Sequence, residues 1–258
     1  MNYSASYRRI LNRLGYYSYQ NGLIFRHLNE EGRWESHLQH CRSFILKAIE
    51  FYNPKIITVL GSGWLLDLPL AEMIEKNISI RLVDIVHPPE VRQQVADFAN
   101  IDLIEEDITG GLVAEVWQKA GNRFLFNKLK SISDIIVPEY IPSGDQGMVI
   151  SLNILTQLES LLIAYLEKHA SVTGEELLRF RTVIQEKHIA FLKQNPAVLI
   201  TDINEVITIK PGLVNRIPNL LAEIPEGRYA EEWIWDFDLT GTDFYNRRSV
   251  MNMKAVIF

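Results

Sequence analysis

The sequence predicts an α/β protein built on a mostly parallel sheet with helices on both faces, and three observations predict it. From position 55 the chain shows short apolar, β-branched runs at Ile56–Leu60, 78–83, 101–104, Met148–Leu152 and 198–203. Most of these are separated by stretches of helical length and spacing, the alternation that strand–helix–strand units of a parallel sheet produce. The C-terminal stretch then changes character: 229–237 is aromatic-rich, and 248–258 alternates and ends apolar. This pair suggests antiparallel strands joined by a loop over 238–245, with Gly241 as a break, so that the expected sheet has seven strands.

The elements can be taken in order. Residues 1–50 read as a helical extension, or lid, ahead of a main domain over 51–258. Ile10, Leu11 and Leu14 share one helical face, and Leu38, Phe44, Ile45, Ala48 and Ile49 share another. This prefix has no acidic residue before Glu30 but carries Arg8, Arg9, Arg13 and Arg26 among Tyr3, Tyr7, Tyr16, Tyr17 and Tyr19. Three readings stay open for it: the solvated face of a docking helix, a lid over a substrate site, or a transit or nucleic-acid arm. Further on, Pro88 and Pro89 open a helix over 88–98, proline being tolerated in a first helical turn. Leu155, Leu158, Leu162, Tyr165 and Leu166 line another, and 175–193 forms a third, stopped by Pro196. The segment 130–146, punctuated by Pro138, Pro142 and Gly144, is the expected mobile loop, of the kind that covers a site.

Composition bounds the function. With 258 residues, 47% of them hydrophobic and 22% charged, the chain can bury one large core. A net charge of −6 argues against a nucleic-acid partner, because binding to phosphate backbones leans on Lys and Arg. The single cysteine, Cys41, excludes an intrachain disulfide and a cysteine-based zinc cluster, and its expected role is packing. No apolar run approaches the roughly 20 residues that span a bilayer, and the N-terminus lacks the apolar core of a secretory signal. A cytoplasmic protein with no membrane partner is expected.

The strongest local feature is Thr58-Val59-Leu60-Gly61-Ser62-Gly63, an apolar strand ending in Gly-Ser-Gly and expected to run into a helix beginning near Trp64. Glycines there let the backbone turn tightly and approach a ligand, which then meets free N–H groups at a helix N-terminus. Asp84 closes the next strand, at the place suited to ribose hydroxyls. Glu105-Glu106-Asp107-Ile108 follows the third; Asp107 suits an adenine amino group or, alternatively, caps the next helix. A nicotinamide fingerprint wants a third glycine where this chain has Leu66, which weakens the NAD-dependent oxidoreductase alternative.

Taken together these residues resemble the class I S-adenosylmethionine-dependent methyltransferases, over roughly residues 35–258 and in the order of elements. The resemblance implies a Rossmann-like fold with a C-terminal antiparallel hairpin, S-adenosylmethionine as cofactor, and methyl transfer as the activity. It also implies the site. Gly61, Ser62 and Gly63 approach the methionine part, Asp84 and Ile85 hold the ribose, Asp107 and Ile108 contact adenine, and Ser151 and Asn153 face the methyl group. Two departures stand out: Val59 occupies the place where many members have an acid, and the bulky Trp64-Leu65-Leu66 run replaces a small residue. Asp67 follows that run and is in place to supply a carboxylate. The strand-four end lacks the Asn/Asp-Pro-Pro-aromatic clamp of base and amide methylation, which leaves a small-molecule acceptor.

No general base is identifiable from sequence. His169 and His188 fall on expected helices, Asp202 ends the fifth strand, and His87 lies nearest the presumed cofactor. Metal-ligand spacing, a Gly-x-Ser-x-Gly elbow and a phosphate-binding Gly-Lys-Ser/Thr are all lacking. A different class also stays open, a non-catalytic cofactor-sensing or interaction domain in which Trp233, Trp235 and Phe237 form either a partner surface or hairpin packing. The oligomeric state is not legible.

Overall fold

Three helices precede the first strand in the computed structural model, which describes residues 3–121, 128–241 and 247–258. They are α1 (Ala5–Leu14), α2 (Tyr16–Asn29) and α3 (Glu35–Tyr52). Gly15, at φ 93°, ends α1 and lets the chain turn directly into α2. Then follow β1 (Ile56–Leu60), α4 (Leu70–Glu75), β2 (Ser79–Asp84), α5 (Pro89–Val95), β3 (Ile101–Glu105), α6 (Leu112–Gly121) and β4 (Met148–Leu152). After a 3-10 turn at Leu155–Gln157 come α7 (Ser160–His169), α8 (Gly174–Leu192), β5 (Ala197–Lys210), β6 (Leu213–Pro218), β7 (Tyr229–Asp238) and β8 (Ser249–Ile257).

The strands form one sheet in the order β3-β2-β1-β4-β5-β8-β7. β3, β2, β1, β4 and β5 run parallel, and β8 pairs antiparallel with both β5 and β7. This is the expected Rossmann-like sheet with its closing antiparallel pair. The sheet has eight strands rather than seven, because β6 pairs with the outer half of β5. The expected fifth strand stopped at 203, but β5 continues to Lys210 past a register shift between Asp202 and Asn204. Its first half is a continuous buried run and its second half alternates, so the two halves read as different patterns. Of the expected hairpin loop over 238–245, residues 242–245 lie outside the described residues.

Side-chain parity divides the core. Ile57, Val59, Ile150, Leu152, Val198 and Ile200 point to the face covered by α3, α4 and α5. Leu60, Val149, Ala197 and Leu199 point to the face covered by α1, α6, α7 and α8. Cys41 packs in the first cluster with no exposed surface. The hairpin aromatics Trp233, Trp235 and Phe237 are buried there as well, with Trp34 Nε1 donating to Phe237 O at 3.0 Å, which is packing rather than a partner surface.

Two local expectations are corrected. The helix after the glycine turn starts at Leu70, not near Trp64. Pro69 disfavours helical geometry at Leu68, Leu65 sits at φ 60°, and the turns between drop Leu65 and Leu68 into the core. The segment 130–146 is irregular but pinned, since Ile132, Ile135 and Val137 are buried and Gln146 Nε2 donates to Ser143 O and Gly144 O at 2.9 Å. Among the described residues no helix is long and apolar enough to cross a membrane.

Candidate functional site

In an open parallel sheet the ligand crevice lies beyond the C-terminal strand ends where the strand order reverses. Here that point falls between β1 and β4, which are neighbours although their onward connections lead to opposite sides of the sheet. Gly61 follows β1 and Asn153 follows β4, and both line a cavity with about 940 Å³ of free space, part of it open to solvent. A second cavity of about 370 Å³ adjoins it and shares Tyr16, Gly61, Asp84, Ile85, Ile154 and Gln157.

The glycine turn is tightly constrained. Gly61 has φ 78°, and a Cβ there would stand 2.6 Å from Ile154 Cβ, so only glycine lets the β1 end pass the β4 end. Gly63 donates its N–H to Asp84 Oδ2 at 2.9 Å, and Ser62 Oγ lies 3.1 Å from His87 Nε2. Burial pushes the Asp84 carboxyl up to about 6 and the His87 ring down to about 4. The other Asp84 oxygen is only weakly engaged, by Val86 N at 3.4 Å and Gln20 Nε2 at 3.5 Å.

The smaller cavity is walled by Ile85, Ile108, Leu158 and Tyr16, with Asp107 at its edge. The Asp107 side chain is committed locally. Oδ1 accepts from Thr109 N at 3.0 Å, and Oδ2 accepts from Val113 N at 3.3 Å and Tyr7 OH at 3.2 Å. It therefore ties down the start of α6, which is the capping role of the two alternatives read from the sequence. Ser151 does not line either cavity: it shares the parity of Val149, and its Oγ lies 2.8 Å from His188 Nε2 on α8. Of the sequence-derived residues, then, Gly61, Ser62, Gly63, Asp84, Ile85, Asp107, Ile108 and Asn153 come together, and Ser151 is on the far side of its strand.

At the other end of the larger cavity Asn153, at φ 51°, donates from Nδ2 to Asp67 Oδ2 at 2.7 Å. Asn153 Oδ1 has no donor among the described residues. Burial raises the Asp67 carboxyl to about 6. His37 from α3 lies beside them, its ring stacked on Trp235 with centroids 3.8 Å apart. His37, Cys41 and Asp67 bring ligand-type atoms within 4.8 Å of one another. The Trp233 indole can only donate, at 3.1 Å to His37 Nδ1, which puts the ring proton on Nε2, 3.5 Å from Cys41 Sγ, and burial pushes the Cys41 thiol up.

α2 closes the mouth, with Tyr16, Tyr19, Gln20 and Leu23 lining the cavity. Tyr19 OH donates to Gln157 Oε1, and Trp64 Nε1 donates to Gln20 O at 2.8 Å. α1 docks beneath, with Leu11 and Leu14 buried and Arg13 over the Trp117 ring, while Arg8 and Arg9 are exposed. The segment 130–146 contributes nothing to either cavity because its buried isoleucines hold it against α6 and α8. Asp202 accepts from Thr156 Oγ1 and, at 2.6 Å, from Asn219 Nδ2, and His169 Nδ1 lies 2.8 Å from Tyr165 O; neither reaches the site. Sequence reasoning missed Tyr16, Gln20, His37 and Trp235 as lining residues, since they come from separate elements with no shared spacing.

No protein-family model matches the chain, and no curated protein matches it. Among solved structures, a Burkholderia thailandensis 1,6-didemethyltoxoflavin-N1-methyltransferase, with bound 1,6-didemethyltoxoflavin and S-adenosylhomocysteine, aligns over 100% of this chain and 92% of its own at 9% identity and a TM-score of 0.41. A likeness that low bears on neither the details of the fold nor the activity.

Proposed function

We propose that the chain binds S-adenosylmethionine and transfers its methyl group to a small-molecule acceptor. The observation that carries this is the charge of the site: among the described residues neither cavity is lined by a lysine or arginine, whereas Asp67, Asp84 and Asp107 line them. The glycine turn, moreover, leads into no helix N-terminus before Leu70. A dinucleotide brings an anionic pyrophosphate that needs such donors. S-adenosylmethionine brings a sulfonium and an ammonium against one carboxylate, a net positive charge that an acidic, aromatic cavity favours. The adenine would sit between Ile85 and Ile108, the ribose against Asp84 in place of the weak Gln20 contact, and the methyl group near Asn153. α2 is the lid.

Methyl transfer asks the protein for alignment and exclusion of water, which the Tyr16, Tyr19 and Trp64 surround provides. Isothermal titration with S-adenosylmethionine, S-adenosylhomocysteine and NAD tests the cofactor. Saturable binding of the first two alone is expected, and binding of NAD alone would replace the reading with a dehydrogenase. Binding of S-adenosylhomocysteine with no turnover of any acceptor would favour the cofactor-sensing alternative.

A further inference from the structure

The end of the cavity around Asp67 carries its charge on that one carboxylate, which sits beside Asn153 and the rings of His37 and Trp235. Asp67 presents a carboxylate and Asn153 an Oδ1 without a donor, and among the described residues no lysine or arginine lines the cavity to balance them. The nearest guanidinium, Arg42, is engaged elsewhere, through Nε to Leu66 O at 3.1 Å and through an ion pair with Glu35 at 3.6 Å. The walls are the rings of Tyr19, Trp34 and Trp235. A hydroxyl would bring one donor to this place, whereas an ammonium brings several and neutralises the carboxylate, and aromatic faces attract it further.

Resting on the cofactor reading above, we propose that this end is the acceptor subsite and that it takes a small amine, held as its ammonium by Asp67 and Asn153, with Asp67 as the base. The ammonium gives one proton to the Asp67 carboxylate. The freed nitrogen lone pair forms the N–CH3 bond as the S–CH3 bond breaks and its electron pair stays on sulfur, turning the sulfonium into the thioether of S-adenosylhomocysteine. The N-methylammonium product keeps the charge, and Asp67 returns its proton to solvent. Burial, which lifts the Asp67 carboxyl to about 6, narrows the gap to the amine it must deprotonate. His37 stays neutral beside it, pushed down to about 3, and contributes no competing charge.

The test is a titration series by tryptophan fluorescence in the presence of S-adenosylhomocysteine. Primary amines graded in size from ethylamine to phenethylamine are each compared with the alcohol and the carboxylate of the same skeleton. At least one amine is expected to bind about tenfold more tightly than both counterparts, the scale of one charge-assisted contact. Asp67→Asn, which keeps the Asn153 bond, is expected to abolish that preference and leave affinity for S-adenosylhomocysteine within about twofold. The wild-type preference should fade as the pH drops below about 6, and the groups facing Asp67 are His37, Cys41 and Arg42 from α3 and Asn153 after β4. No amine preference, or an equal loss of S-adenosylhomocysteine affinity in Asp67→Asn, would overturn the proposal; the second result would give the carboxylate to the cofactor's own ammonium. An amine preference in a protein that takes no S-adenosylhomocysteine would support the subsite and overturn the cofactor.

Discussion

Asp84 accepts the Gly63 N–H at one oxygen, and its other oxygen has only two long contacts, so under the proposed function its substitution separates binding from folding. Asp84→Asn is expected to weaken S-adenosylhomocysteine binding about tenfold or more. The thermal midpoint should not fall, because the substitution removes the desolvation cost of a buried charge. The same carboxyl gives a pH signature. Its folded pKa of about 6 exceeds the unfolded value, so above pH 6 the ionised group costs stability and below it that cost is relieved. The ribose needs the ionised form, so affinity should be flat above pH 6 and decline below it, as titration at two pH values would show. At this scale the sequence was most legible where an apolar strand ends abruptly, as at Gly61, Asp84 and Ile108. It misled at Ser151, because nothing in Val149-Ile150-Ser151 says which parity faces the crevice; the helix packed on each face decides that.

Among the elements, α2 is the least anchored: none of its residues is buried, and Phe25 and Leu28 are largely exposed. Such a helix opens at low cost. Limited trypsin digestion is therefore expected to cut at Arg26 before any site in α3 or α8, and saturating S-adenosylhomocysteine should slow that cut several-fold, which gel analysis would follow. Unchanged cleavage would separate α2 from the site. The opposite extreme is the crossing of the β1 and β4 ends. Gly61→Ala should destabilise by about 2–4 kcal/mol in urea unfolding, combining backbone strain at positive φ with a collision against Ile154. The parallel strands were legible because each is a short apolar run between breakers, even where burial is partial, as in the edge strand β3. β6 was not, since its side chains are nearly all exposed and lack the apolar run by which the others were recognised. α2 falls in the 1–50 stretch read as a helical extension or lid, but its tyrosines and Arg26 give no single apolar stripe by which the helix itself could be placed.

Across the whole molecule, both core clusters are sewn to the two faces of one sheet, and β5 joins the parallel part to the hairpin through β4 and β8. Unfolding followed by tryptophan fluorescence, to which Trp233 and Trp235 of the hairpin contribute alongside three tryptophans elsewhere, should therefore coincide with unfolding followed by far-ultraviolet circular dichroism; separated transitions would mean the molecule does not melt as one unit. The ribbon made by the outer half of β5 and β6 is the exception to this integration. Its tip, Pro211 and Gly212, stands clear of every neighbour, and nothing lies within 4 Å of where a Gly212 Cβ would be. In engineering terms that tip is a splice point. A short glycine–serine insert, or a reporter peptide carried in one, should be accepted there with the affinity for S-adenosylhomocysteine unchanged, giving the protein a handle that reports on its surroundings without touching either cavity.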